Sequence, residues 1–442
     1  MNLLKNILII SSLVVSQTAS AQAWTQQGSD IDGEAAGNNS GISVSLSSDG
    51  STVAIGANTN DDNGNQSGHV RIYKNISGTW TQQGSDIDGE AAGDYSGWSV
   101  SLSSDGSTVA IGASGNDGNG TDAGHVRIYK NISGTWTQQG SDIDGEVAGD
   151  RSGWSVSLSS DGSTVAIGAR YNNGNGFGFG HVRIYKNISG TWTQQGSDID
   201  GEAAYDESGC SVSLSSDGST VAIGARYNDG NGSVAGHVRI YKNISGTWTQ
   251  QGSDIDGEAA GDRSGYSVSL SSDGSTVAIG ARYNNGNGTR PGHVRIYKNI
   301  SGTWTQQGSD IDGEAAGDLS GHSVSLSSDG STVAIGAIDN DDNGLWAGHV
   351  RIYKNISGTW TQQGSDIDGE AAYDYSGYSV SLSSDGSTVA IGAYANSGNG
   401  NQSGHVRIYS VTTCTTTSST DTIISCGPYT WTDGNTYTSS NN

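Results

Sequence analysis

The stretch "SGWSVSLSSDGSTVAIGA", Ser96 to Ala113, occurs seven times in the chain, and only the residue after its first glycine changes. That residue is in turn Ile42, Trp98, Trp154, Cys210, Tyr266, His322 and Tyr378. Within the stretch, "SVSLS" alternates polar and apolar residues with period two, "STVAIGA" follows the same period, and Asp-Gly links them. This pattern predicts a β-hairpin of two short strands, a and b. Further along, "HVRIY" (His69 to Tyr73) reads as a third strand, c. "KNISG" (Lys74 to Gly78) then turns the chain into a fourth strand, d, "TWTQQ" (Thr79 to Gln83). No segment carries apolar residues at helical spacing, so the mature chain is expected to be all β.

The tripeptide "WTQ" opens at Trp24, Trp80, Trp136, Trp192, Trp248, Trp304 and Trp360, a constant spacing of 56. The 69 glycines, two prolines, one methionine and two phenylalanines among 442 residues are the skew that copying one short unit produces. Val44, Leu46, Val53, Ile55, Val70 and Ile72 are expected to share one apolar face, with serines, Ala54 and Gly56 on the other, so that copies bury both faces by stacking. The first unit opens on strand d at Trp24 and the last closes on strand c at Tyr409. Pairing these ends removes both exposed edges, which predicts a closed seven-bladed β-propeller over residues 22–411.

The order "SG-x-SV … STVAIGA … GHVRIY" resembles the FG-GAP repeat, the blade unit of the integrin alpha-chain N-terminal propeller and of many bacterial surface proteins. The resemblance covers all seven units and implies a propeller fold and a role in surface adhesion. Here Ser40 stands at the Phe position and Asn58 follows Gly56-Ala57 in place of proline. "SSDG" is too short for the calcium loop of integrin blades, so those metal sites do not carry over.

In an up-and-down blade, the a-to-b and c-to-d turns emerge on one face of the disc, and the d-to-a and b-to-c connections on the other. The first pair is constant, "SSDG" and "KNISG"; the second is diversified. Every tyrosine, tryptophan and phenylalanine outside the regular strand positions of the repeats falls on the variable face: Tyr95, Trp98, Trp154, Tyr171, Phe177, Phe179, Tyr205, Tyr227, Tyr266, Tyr283, Trp346, Tyr373, Tyr375, Tyr378 and Tyr394. Interleaved with them are Arg151, Arg170, Arg226, Arg263, Arg282 and Arg290. Rings and guanidinium groups give contact area and hydrogen bonds at low entropic cost. All of these but Tyr205, Tyr373 and Arg290, together with His322, are the expected ligand-binding residues of a face for a glycan or a surface protein. Neutral drift of exposed loops is the plain alternative, and it predicts variation on both faces.

The b-to-c loops "NDDNGN" (Asn60 to Asn65) and "DNDDNG" (Asp339 to Gly344) offer oxygen ligands, and Asp61, Asp62, Asp339, Asp341 and Asp342 are the candidate calcium positions. Asx-Gly clusters are equally the stuff of ordinary turns. No cofactor is required. An enzyme is not expected, because one active site needs unlike residues converging, whereas seven of the eight histidines occupy the same strand position. With 45 acidic and 20 basic residues, net charge −25, nucleic acid and anionic lipid would be repelled.

Residues 1–21 read as a signal peptide, with the apolar run "ILIISSLVV" and Ala19-Ser20-Ala21 before Gln22. No second apolar run follows, so the expectation is a secreted or outer-surface bacterial protein, a monomer not inserted in the membrane. Residues 412–442 resemble a truncated Thr/Ser-rich surface module of secreted proteins from marine gliding bacteria. Cys414 and Cys426 are a candidate disulfide, leaving Cys210 odd. The alternative to a binding protein is a structural spacer or calcium-stiffened stalk; a propeller enzyme ranks third.

Overall fold

The computed structural model describes residues 23–174, 176–286 and 288–412, together with two short paired strands, Tyr429–Thr430 and Thr436–Tyr437. The expected signal peptide and the Cys414–Cys426 pairing lie outside the described residues. Seven antiparallel sheets form a ring, and no helix occurs among the described residues. In the first blade, a is Ser43–Leu46, b Thr52–Ala57, c His69–Ile76 and d Thr79–Gln82, in the order a-b-c-d. A fifth strand, e (Ile87–Asp88), pairs with the start of c through His69↔Asp88 and Val70↔Ile87. It exists because c is eight residues long and d only four, so half of c would otherwise lack an outer partner. The sequence reading has this segment as connection rather than strand.

The face assignment needs correction. Val44↔Ile55 and Leu46↔Val53 are opposite one another and share a face, but Ala54 pairs with Ile72 and Gly56 with Val70. Opposite residues in an antiparallel pair lie on the same side of the sheet, so Val70 and Ile72 belong with Ala54 and Gly56. Both faces are therefore apolar, and each core lies between two blades. Val44, Leu46, Val53 and Ile55 of the first blade pack on Ala390, Val406 and Ile408 of the seventh, with Ile31. The six other boundaries repeat the arrangement.

Closure follows the expected phase. Ala23–Gln26 is the d strand of the seventh blade, paired with His405–Thr412 through Trp24↔Val411 and Gln26↔Tyr409. The Trp24 indole N–H then reaches into the sixth-to-seventh connection, donating to the Gln363 carbonyl at 2.7 Å. Around the axis, neighbouring a strands are joined by serine: Ser43 Oγ donates to the Gly97 carbonyl at 2.8 Å, and Leu46 N–H donates to Ser381 Oγ at 2.9 Å. On the constant face, each a-to-b turn is bonded to the next. Ser48 N–H donates to Ser104 O, Ser104 to Ser160, and so on through Ser384 back to Ser48, all at 2.8–2.9 Å. This closed ring of backbone bonds gives the invariance of "SSDG" a structural cause.

Candidate ligand-binding face

Each d-to-a connection lies on the b-to-c loop of the blade before it. Tyr95 N–H donates to Gln66 O, Arg151 N–H to Asp122 O and Tyr375 N–H to Trp346 O, each at 3.1 Å. Both members of such a pair adopt left-handed backbone, with φ of 56° at Gln66 and 55° at Tyr95. The side chains match across the contact. Tyr95 Oη donates to Gln66 Oε1 at 2.8 Å, Arg151 meets Asp122 at 3.0 Å, and the Trp346 and Tyr375 rings stack at 6.0 Å.

The residue after Ser-Gly and the residue after "STVAIGA" converge at the mouth of the central channel. Trp98 and Trp154 lie 4.4 Å apart; His322 lies 5.1 Å from Tyr266 and 4.6 Å from Tyr378, which reaches Tyr394 at 4.6 Å. Arg170 covers Trp154 at 3.3 Å and Tyr171 at 4.3 Å, Arg226 covers Tyr227 and Tyr266, and Arg282 covers Tyr266 at 3.9 Å. Arg263 lies between Tyr227 and Tyr283, and the exposed Arg290 approaches Tyr283 at 5.2 Å. Ile42 and Cys210 are buried in the same ring.

The charges here are internally arranged. Glu207 accepts from Arg226 at 2.8 Å and lies 3.3 Å from Arg170. Burial foremost, then the neighbouring Arg226, pulls Arg170 below the ordinary guanidinium range. Burial, then Arg282 and Arg226, holds His322 well below the usual imidazole range, so it is neutral and its Nδ1 accepts from Arg282 Nη1 at 2.9 Å. Burial also pushes the Tyr378 hydroxyl and the Cys210 thiol up. Asp339, at the rim, is pushed up to about 6, by burial first.

Sequence reasoning missed the role of Glu207. The signal was there: of the seven residues preceding Ser-Gly it is the one acid, between two units that carry arginine after "STVAIGA". It also did not separate packed aromatics from free ones. Phe177 is 73 % exposed, Tyr205 68 %, Tyr373 51 %, Leu345 46 % and Trp346 40 %, while Phe179 is half-buried. Four of these five are joined in two backbone pairs, Tyr205 N–H donating to Phe177 O at 2.9 Å and Tyr373 N–H to Leu345 O at 2.8 Å, while Trp346 packs edge-on against Tyr373 at 5.5 Å.

The five candidate calcium aspartates do different jobs. Asp61 Oδ1 and Asp341 Oδ1 accept from the backbone N–H of Gln66 and Trp346, each at 2.7 Å. Asp62 and Asp342 turn toward the histidines that open strand c, His69 and His349, and Asp339 is half-buried near Arg282.

Four segments, residues 80–129, 192–241, 248–297 and 360–409, match the family model of the FG-GAP repeat. The other three units carry the same strand sequences. No curated protein matches the chain. Among solved structures it is similar to Kuenenia stuttgartiensis hydrazine synthase, at 14% identity and a TM-score of 0.53, over 84% of this chain and 95% of that one. At that identity the likeness shows the fold alone.

Proposed function

We propose that this chain, a β-propeller of FG-GAP repeats, is a secreted or cell-surface binding protein whose variable face engages a glycan or a protein on another surface. The observation that carries this reading is the pair of tyrosines at Tyr205 and Tyr373. Five other units have glycine there, Gly37, Gly93, Gly149, Gly261 and Gly317, and the tyrosines adopt the same left-handed backbone, φ 68° and 70°. That conformation costs a side-chain-bearing residue about 1 kcal/mol or more relative to glycine. The Tyr205 ring is left largely in water and the Tyr373 ring meets the exposed Trp346 edge-on at 5.5 Å, an arrangement of rings on strained backbone that suits contact residues.

Arg226, Arg263, Arg282 and Arg290 lie between the two exposed pairs and Arg151 and Arg170 precede the first; these six are all the Lys and Arg of the chain outside Lys5 and the fixed repeat positions. A local sector of arginines and aromatic rings on a protein of net charge −25 favours a ligand with apolar sugar faces and isolated carboxylate groups that reach the arginines one at a time, and not a polyanion. Nucleic acid would meet the overall negative field. The reading takes the protein as a monomer without membrane insertion, catalysis or a required cofactor.

The test is a glycan-array and surface-protein screen of the full chain and of Y205G/Y373G. The variant is expected to keep or raise Tm, because it restores the residue used by five units, while affinity for the ligand found falls at least about tenfold. Unchanged affinity would overturn the reading. A second reading, a structural spacer, is favoured by the self-satisfied pairs Tyr95–Gln66 and Arg151–Asp122; it predicts that no probe binds.

A further inference from the structure

Strand c opens in every blade on a buried histidine, and in the first and sixth blades four groups meet there instead of three. His69 Nδ1 lies 3.8 Å from Glu34 Oε2, 3.9 Å from Asp62 Oδ2 and 3.8 Å from Asp86 Oδ2. These separations are too long for hydrogen bonds. His69 is 0% exposed, and neither of its ring nitrogens has a hydrogen-bond partner. The sixth blade repeats the group with Glu314, Asp342, His349 and Asp366, again with both ring nitrogens buried and unpartnered. At the position of Asp62 and Asp342 the other five blades have glycine: Gly118, Gly174, Gly230, Gly286 and Gly398.

A buried imidazole nitrogen without a partner is costly, and here it faces carboxylates from three separate segments. The four ligand atoms lie within 4.8 Å of one another. A tetrahedron with edges equal to the His69 separations has its centre about 2.3 Å from each corner, so the four donors would close by about 0.1–0.3 Å to reach zinc–nitrogen and zinc–oxygen lengths of about 2.0–2.2 Å; the choice of metal rests on the donor set and not on this distance. Arg71 Nη1 sits 3.6 Å from the other oxygen, Oε1, of Glu34. With three carboxylates and one guanidinium the group carries two negative charges, which one divalent ion cancels.

We propose that Glu34, Asp62, His69 and Asp86, and likewise Glu314, Asp342, His349 and Asp366, form two binding sites for a divalent first-row transition metal of the zinc class. One imidazole nitrogen with three carboxylate oxygens is a donor set for zinc, whereas calcium takes oxygen throughout. Each ion would clamp the b-to-c loop to the connections on either side of it. In the sixth blade that loop presents Leu345 and Trp346.

The experiment uses the full chain, stripped with chelator and then titrated separately with ZnCl2 and CaCl2 by calorimetry, with bound metal counted by elemental analysis. Zinc is expected to bind at about two ions per chain and to raise Tm. D62G/D342G, which installs the residue carried by five blades and so keeps the fold, is expected to lose both ions, as is H69Q/H349Q. No zinc uptake, seven ions instead of two, uptake unchanged in D62G/D342G, or preference for calcium would each overturn the assignment.

Discussion

Gly112 has its hydrogen directed at the next blade: a Cβ there would lie 2.1 Å from the Gly153 carbonyl oxygen and 2.5 Å from Ser99 Oγ. Because the first obstacle is backbone, neither rotamer change nor local breathing relieves it. Gly112→Ala is therefore expected to cost about 3 kcal/mol or more by urea denaturation. Gly134 is a control of another kind, with nothing within 4 Å but φ of 92°; its alanine variant should lose only about 1 kcal/mol, from backbone strain. Equal losses would mean that sheet spacing does not depend on the missing side chain. At this scale the sequence was informative about position and silent about partners. The wandering residue was legible as the start of an inner strand. That Glu207 joins Arg170 to Arg226 was not, because those residues meet only when one blade's d-to-a connection is laid beside its neighbours' b-to-c loops.

The a-to-b turn shows how an element is stabilised seven times by the same hydrogen bonds. In the fourth blade, Ser215 Oγ donates to Asp217 Oδ1 at 2.7 Å, and Ser219 donates through both N–H and Oγ at 2.9 and 2.8 Å. Burial alone would raise the Asp217 carboxyl, but these donors outweigh it and hold it below the ordinary value of 3.8. A folded value below the unfolded one gives stability that is present above the unfolded pKa and lost as pH falls through the folded value. Asp217→Asn is thus expected to lower Tm at pH 7, and the gap from wild type to narrow below about pH 4. A gap independent of pH would remove the carboxylate from the account. The hairpin was readable from Asp-Gly and period-two alternation. Strand e was not, since two residues carry no period, and the two-faced packing of Val70 and Ile72 was misassigned because alternation fixes which residues share a face within a strand but not the register between strands.

For the whole molecule, the decisive reading was the phase of the repeat, which was available because 56-residue spacing is kept without an insertion. The closure it implied can be tested by removing residues 23–26. The outer edge of His405–Thr412 would then lose its partner, and an open edge invites pairing with a second chain. A chain lacking these residues is expected to lose about 5 °C or more in Tm and to self-associate in light scattering. A monomer with unchanged Tm would show that the inter-blade cores hold the ring without it.

The closing strand also sets how the molecule answers to pulling. Ala23 stands opposite Thr412 on one rung of the sheet, so tension applied through those two residues peels the rungs in succession, each bearing the load alone. Tension applied between a ligand on the variable face and residue 412 takes another route. It enters the seventh blade along strand c, whose residues His405–Ser410 pair with Thr388–Ala393 on one side and whose last four pair with Ala23–Gln26 on the other, so that many rungs share the load at once. The same ring is thus soft to a tug on its two ends and stiff to a tug on what it holds.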